Sequence, residues 1–435
     1  MKIAFIASGA AGMYCGSCLR DNALANELHS LGHEVLLVPV YTPLRLDDET
    51  VSQKKVFFGA VDAFLQEKSS RFRGRRGLIS RLLGSQVLLR FISRMSFATR
   101  SKSLGKMTVS VLRGGDGNQK RSLIELVDWL RAEAKPQVVH LSNALLSGWA
   151  REIKAALGVS VTCGLQGEDF FLEGLPEPYR GEALSLLREN SAHVDRFMAA
   201  SAFAARRMSE WISLDREKVD VVLSGISLSG YPEVVPQEVV DRPLTLGYFA
   251  RIAPEKGLHV LVEAFERLCA SGEFPDLRLK AAGYLGGENY RYAASIRRWL
   301  AARGLSRRVE ILGTLDRRQK IEFLRDIDVF SVPATYPDSK GIFVLEALAC
   351  GVPVVGPNHG VFPELFEATG GGLLHAPGEP ADLAEKLAGL LRDKMERRRL
   401  GERGHSAVRS RFSSRRMAMD ALAMYDKLMV QGPPK

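Results

Sequence analysis

The chain has 435 residues, 46% of them apolar and 25% charged, with a formal net charge of +10. That length exceeds one ordinary hydrophobic core and points to two domains, and the composition is that of a globular protein. No run of 18 apolar residues occurs, which argues against a membrane-spanning helix.

In chain order, the N-terminus carries one lysine, Lys2, followed by "IAFIA", too short for a signal peptide and better read as a first strand. A cytoplasmic protein is expected, with Cys15, Cys18, Cys163, Cys269 and Cys350 reduced. The strand runs into "SGAAGMYCGSCLRDNALANEL" (8–28), a glycine-rich turn containing Gly12 and Gly16 and leading into a helical pattern. Its spacing, Gly9-x-x-Gly12-x3-Gly16, does not match the dinucleotide fingerprint G-x-G-x-x-G. The Cys15-x-x-Cys18 pair has neither a thioredoxin-like context nor a second ligand pair for zinc, and reads as small residues in a tight loop.

From Lys68 to Gly115 there are twelve Lys or Arg and no Asp or Glu, more than the whole net charge. Such a block attracts anionic membrane, nucleic acid or a phosphorylated substrate. Nucleic acid is set aside, because the only aromatics interleaved are Phe72, Phe91 and Phe97 and no binding module is recognisable. Within the block, "GLISRLLGSQVLLRFISRMS" (77–96) has helical spacing, but Arg90 and Arg94 fall among its apolar residues. It reads as a membrane contact or as a surface helix packed on its own domain.

Short apolar runs mark the first half: "EVLLVPV" (34–40), "TVSVLR" (108–113), "QVVHL" (137–141), "SVTCGL" (160–165), "RFMAA" (196–200) and "VDVVLSG" (219–225). Helical patterns such as "SLIELVDWLRAEA" and "NALLSGWAREIKAAL" separate several of them, which indicates a parallel sheet covered on both faces. After the Pro- and Ser-rich "SLSGYPEVVPQEVVDRP" (227–243) the rhythm restarts with "LTLGYFA", "LRLKAAG", "VEILG", "DVFSVPA" and "VPVVGP". Two doubly wound α/β domains are expected, with ligands at the carboxyl ends of their strands.

Chemistry-bearing residues cluster in the second half. Arg251 and Lys256 in "RIAPEKG" follow a strand and precede a helix, the place for two cations on a diphosphate. Taken alone, the pair also fits a solvated basic turn. In "DSKGIFVLEALACGVPVV", Gly341 lets the backbone approach a ligand, and a carboxylate such as Glu346 takes two hydrogen bonds from a diol. The bland alternative makes Glu346 a helix-start acid and Asp338 a turn residue. Asp326 and Asp328 in "RDIDVF" have a spacing that can hold a metal, but they lie between a helix and a strand and read as structural. No H-E-x-x-H or paired C-x-x-C set is present, and no metal or other cofactor is expected.

Together, "RIAPEKG", "ILGTLDRRQKIEFLRDIDVFSVPA", "DSKGIFVLEALACGVPVV" and "HGVFPELFEATGGGLL" (359–374) resemble glycosyltransferase family 4, retaining nucleotide-sugar transferases of the GT-B fold. The resemblance covers essentially the full chain. It implies two Rossmann-like domains facing a central cleft, 1–228 on the acceptor side and 229–412 binding the donor. It also implies a final helix within 413–432 that crosses back onto the first domain. By the same resemblance Arg251 and Lys256 hold the donor diphosphate, Glu346 the ribose and Asp338 the transferred sugar. The amides around Gly341, Ile342 and Phe343, with Gly12 and Gly16 opposite, contact sugar or phosphate. No protein nucleophile is required, because the leaving phosphate oxygen helps deprotonate the acceptor.

Two departures stand out. Asp338 replaces the family's usual Glu and is followed by "SK", where Pro and an aromatic are commoner. Gln166 stands where the family often has a histidine, and an amide cannot titrate. His140 is the nearby titratable alternative, or a satisfied strand-end histidine. Arg20, Glu168 and Asp169 complete the acceptor-side candidates, the two acids serving either acceptor hydroxyls or a cap. The expected partners are a nucleotide-diphosphate sugar (UDP, GDP or ADP form open) and an acceptor that is an envelope lipid, a polysaccharide precursor or a small phosphorylated or polar molecule. The stretch 68–115 adds an anionic membrane surface, giving a peripheral location at the inner face. The competing reading is a catalytically weak sugar-nucleotide-binding or scaffold protein of the same fold.

Overall fold

A computed structural model describes residues 1–9, 16–41, 101–235 and 242–431. Gly12, Cys15, the helical pattern at 77–96 and residues 68–100 of the basic stretch therefore lie outside the described residues. The chain divides into two compact units, Met1–Ser224 with Met417–Lys435, and Gly225–Arg416.

The first unit is built on six parallel strands: β1 (Lys2–Ala7), β2 (Glu34–Pro39), β3 (Val138–Leu141), β4 (Ser160–Leu165), β5 (Arg196–Ala199) and β6 (Val219–Val221), in the order β2-β1-β3-β4-β5-β6. Near-continuous apolar runs make these strands because both faces of the sheet are covered. On one face, Ile3 and Phe5 of β1 pack against Leu24 and Leu28 of the helix Gly16–Ser30. The helix Ser414–Gln431 covers the same face, burying Met417, Ala421, Met424, Tyr425 and Leu428. On the other face, Ala4, Ile6 and Val139 meet Leu126, Trp149 and Ile153.

One expected strand is corrected. "TVSVLR" forms the end of the helix Ser101–Leu112. Residues 108–112 are all buried, so polar and apolar positions alternate without marking a solvent face. Thr108 donates to the Leu104 carbonyl one turn back, and Ser110 donates to Gln119 Oε1. A short apolar run enclosed on every side does not reveal its period, and here the helix wins.

The second unit holds β7 (Thr245–Phe249), β8 (Arg278–Ala282), β9 (Val309–Ile311), β10 (Val329–Ser331), β11 (Val354–Pro357) and β12 (Gly372–His375), all parallel, in the order β12-β11-β10-β7-β8-β9. Strand order reverses between β7 and β10, which pair Val329 with Leu246 and Phe330 with Gly247. The loops leaving these two strands diverge toward opposite halves of the sheet, the usual place for a ligand. Strand β12 begins in a glycine triplet (Gly370 to Gly372), which hid it from a reading by β-propensity. Among the described residues, no helix is long and apolar enough to cross a membrane.

Candidate functional site

The switch point of the second sheet brings together residues that are far apart in sequence. The loop after β7 carries Arg251 and Lys256, and the loop after β10 carries Tyr336, Asp338 and Gly341. The Thr335 amide donates to the Glu255 carbonyl at 3.0 Å, stitching the two loops. Gly257, at φ +72°, passes so close to the second loop that a Cβ would lie 1.8 Å from the Pro333 carbonyl oxygen. A third loop, after β11, closes on the same point, where the Val361 amide donates to the Asp338 carbonyl at 2.8 Å.

At the centre, Lys256 Nζ donates to Asp338 Oδ2 at 2.7 Å and to the Tyr336 hydroxyl at 2.6 Å. The Tyr336 hydroxyl in turn donates to Asp338 Oδ2 at 2.8 Å. The ammonium also lies 5.1 Å from the Phe343 ring centroid, and Phe343 packs on Phe330 and Phe362. The other carboxylate oxygen, Asp338 Oδ1, accepts from the amides of Lys340 at 2.9 Å and Gly341 at 3.0 Å. Burial by itself would raise the Asp338 carboxyl, but Lys256 and Lys340 with the Gly341 amide hold it well below the usual carboxylate range. Burial pulls the Lys256 ammonium below the ordinary lysine value, against the opposing pull of Asp338.

Gly341 heads the helix Ile342–Ala349 at φ +61°, and a Cβ there would lie 2.4 Å from Leu365 Cδ1. The positive φ favours glycine at this entry, and the Ile342 and Phe343 amides open the helix that it starts. Arg251 forms an ion pair with Glu255 at 2.7 Å. Glu346 lies in the second turn of the helix, and Lys320 Nζ donates to its Oε1 at 2.5 Å. Tyr336 and Lys320 were not among the sequence candidates. The signal for Lys320 was a lysine one helical turn before Leu324 on an apolar stripe, where it is only 3% exposed.

The acceptor-side candidates Arg20, His140, Gln166, Glu168 and Asp169 are placed inside the fold, none more than 5% exposed. Arg20 donates to the Val222 carbonyl at 2.9 Å and lies 3.9 Å from Asp21. Gln166 Nε2 donates to Asp21 Oδ1 at 2.8 Å and to the Ser142 carbonyl at 2.7 Å. The Glu168 carboxylate accepts from the amides of Ala144 and Gln166, tying together the loops that leave β3 and β4. Asp169 lies 3.6 Å from Arg207. His140 pairs with the Thr162 hydroxyl at 2.8 Å, its ring 4.8 Å from that of Phe5, and burial with Arg20 pushes its pKa down to about 3. It is a core histidine in this unit. Gly16 is the first residue of its helix.

Asp328 takes a two-pronged grip from Arg242 at 2.8 and 2.9 Å and caps the Thr245 amide, while Asp326 pairs with Lys280. Both acids thus brace the sheet. Among the described residues, no group of three His, Cys, Asp or Glu side chains is arranged to hold a metal. Cys163, Cys269 and Cys350 are free thiols.

Comparison with known proteins matches each unit separately. A family model described as "Glycosyl transferase 4-like domain" matches residues 22–225, and one described as "Glycosyl transferases group 1" matches residues 234–407. The chain is 30% identical over 237 residues to a D-inositol 3-phosphate glycosyltransferase of Nocardia farcinica, covering 52% of this chain and 51% of that protein. It is 30% identical over 236 residues to a phosphatidyl-myo-inositol mannosyltransferase of Mycobacterium leprae, covering 54% and 60%. The chain thus spans about half to three-fifths of these two relatives. Among solved structures, sucrose-phosphate synthase of Thermosynechococcus elongatus superposes with a TM-score of 0.72 at 17% identity, covering 99% of each chain. The Anabaena protein HepE in complex with UDP gives 0.68 at 17% identity, covering 98% of this chain and all of its own. At such identity these structures speak for the fold, and the family models speak for the sequence. The chain belongs to the GT-B glycosyltransferases of the family-4 type.

Proposed function

We propose that the protein is a retaining glycosyltransferase that moves a sugar from a nucleotide-diphosphate sugar onto an acceptor carrying phosphate. The observation that carries this reading is Lys256. Its ammonium has three N–H donors; two go to Tyr336 and Asp338, and the third has no hydrogen-bond partner among the described residues. The ammonium lies 5.1 Å from the ring of Phe343, in the first turn of the helix Ile342–Ala349, and a cation near a helix N-terminus is a combination suited to a diphosphate.

In this reading Arg251 and Lys256 hold the diphosphate and stabilise the charge that grows on it as the anomeric bond breaks. The amides of Ile342 and Phe343 add donors, and Glu346, oriented by Lys320, accepts from the ribose hydroxyls. The acceptor oxygen bonds to the anomeric carbon on the face the phosphate leaves. Its proton passes to the departing phosphate oxygen, so atoms and charge balance without a protein nucleophile.

Support for an anionic acceptor comes from the basic stretch 68–115 and from two relatives whose names specify inositol phosphate and phosphatidylinositol. A lipid-borne acceptor would place the protein at the inner face of the membrane. UDP in the solved Anabaena protein supports a nucleotide donor.

The test is a thermal-shift panel of UDP, GDP and ADP sugars, followed by turnover assays with free inositol phosphate and with phosphatidylinositol vesicles. One donor should raise the melting temperature and be consumed only when an acceptor is present. Free phosphate and lipid acceptors are separated by which of the two supports turnover. Binding without transfer or donor hydrolysis under any condition would leave a sugar-nucleotide-binding protein and sink the enzyme reading.

A further inference from the structure

We infer that the Asp338 carboxylate is a positioning group, which sets the Lys256 ammonium and the first turn of the helix Ile342–Ala349, and that it does not read the hydroxyls of the transferred sugar. The inference rests on the donor-site reading above and departs from the role that family resemblance assigns to this position.

A carboxylate has about four acceptor sites, two on each oxygen. In Asp338 all four are matched by protein donors: Lys256 Nζ and the Tyr336 hydroxyl on Oδ2, and the amides of Lys340 and Gly341 on Oδ1. The four distances run from 2.7 to 3.0 Å, and the residue is 5% exposed. A carboxylate that grips a diol needs two acceptor directions aimed at the ligand, and none is left. Turning the side chain outward would strip donors from a buried charge and leave the Lys256 ammonium without its counter-charge.

The aspartate itself explains the arrangement. A side chain with one methylene reaches back to amides two and three residues ahead, closing the turn that introduces the helix. Glutamate, one methylene longer, does not close that short ring as well. The loop after β11 holds the same backbone from outside: the Val361 amide donates to the Asp338 carbonyl at 2.8 Å, and a Cβ on Gly360 would meet that oxygen at 2.6 Å. What Asp338 offers the reaction is therefore the direction of one N–H, the third donor of Lys256.

Calorimetric titration of wild type, Asp338→Asn and Tyr336→Phe tests this with UDP and UDP-glucose, GDP and GDP-mannose, and ADP and ADP-glucose, using the pair that wild type binds. A positioning role predicts that Asp338→Asn weakens the nucleotide and its sugar nucleotide by the same factor, about tenfold at pH 7.5, because Lys256 loses both its anchor and its counter-charge. Their ratio should stay within twofold. Tyr336→Phe, which keeps the carboxylate, should shift both in the same direction by a smaller factor.

The alkaline limit of nucleotide binding should also move to lower pH in Asp338→Asn. Arg251 and Lys340 oppose the protonation of Lys256, and Asp338 favours it through both its charge and its hydrogen bond. Loss confined to the sugar nucleotide, or no change in either affinity, overturns the inference. Wild-type protein that binds none of the six compounds overturns the donor-site reading instead. If Asp338→Asn fails to fold, the Tyr336→Phe ratio decides alone.

Discussion

Lys256 and Asp338 are 82 residues apart in sequence and 2.7 Å apart in space, and both are largely buried. Removing one member of such a pair leaves an unbalanced charge in a poorly solvated place. Lys256→Met should therefore cost about 3–5 kcal/mol of stability and lower turnover by roughly a hundredfold or more. The double variant with Asp338→Asn should recover much of the stability in denaturant titrations and none of the turnover. A Lys256→Met protein with near-normal turnover would remove Lys256 from the donor site.

Both groups make stability rise with pH, in different windows. Because the folded Lys256 sits below its ordinary 10.5, the unfolded chain binds more protons in the window up to that value, so stability rises with pH there. Activity moves the other way, since the ammonium is lost, and the alkaline limb of kcat/KM should fall below 10.5. Asp338 is held below its ordinary carboxylate value, so its contribution is complete above about pH 4 and is lost only as pH falls through the depressed value. Acid titration of wild type against Asp338→Asn measures that difference. His140 shows what sequence could not tell at this scale: a histidine at the end of a strand has the same letters whether it faces solvent or Phe5 and Tyr425.

At the scale of elements, the helix Arg317–Arg325 and the helix Ile342–Ala349 are joined by the Lys320–Glu346 pair, whose side chains are 3% and 8% exposed. Lys320→Met should cost about 3–5 kcal/mol. If Glu346 takes the ribose as proposed, it should also weaken ribonucleotides while leaving 2′,3′-dideoxynucleotides as they were. Equal loss for both nucleotide types would make the pair purely structural. Short apolar runs located β1, β2 and β4 because buried parallel strands are written as near-continuous apolar segments. The same signal failed at 108–113, where a helix is buried on all sides, and at β12, where glycines dilute it.

For the whole molecule, the positive charge is concentrated in one stretch that carries twelve cations and no acid. If that stretch meets an anionic bilayer, replacing Arg73, Arg75 and Arg76 by Ser should remove about 3 kcal/mol of affinity for phosphatidylserine vesicles, roughly a hundredfold, with neutral vesicles as the control. Unchanged sedimentation with those vesicles would reject a membrane role for the stretch.

By itself the sequence determined the two wound α/β units, the family, and the identity of Arg251, Lys256, Asp338, Gly341 and Glu346 as the residues to examine. These are local facts: apolar runs of strand length, a glycine before a helix, charged residues at loop positions. Only the tertiary structure decided what those residues touch. The reversal of strand order between β7 and β10 brings two distant loops together, and packing there fills every acceptor site of Asp338 while leaving one donor of Lys256 without a hydrogen bond among the described residues. Hydrogen-bond saturation depends on atoms contributed by two separate loops, and no spacing within either of them encodes the contact between the two.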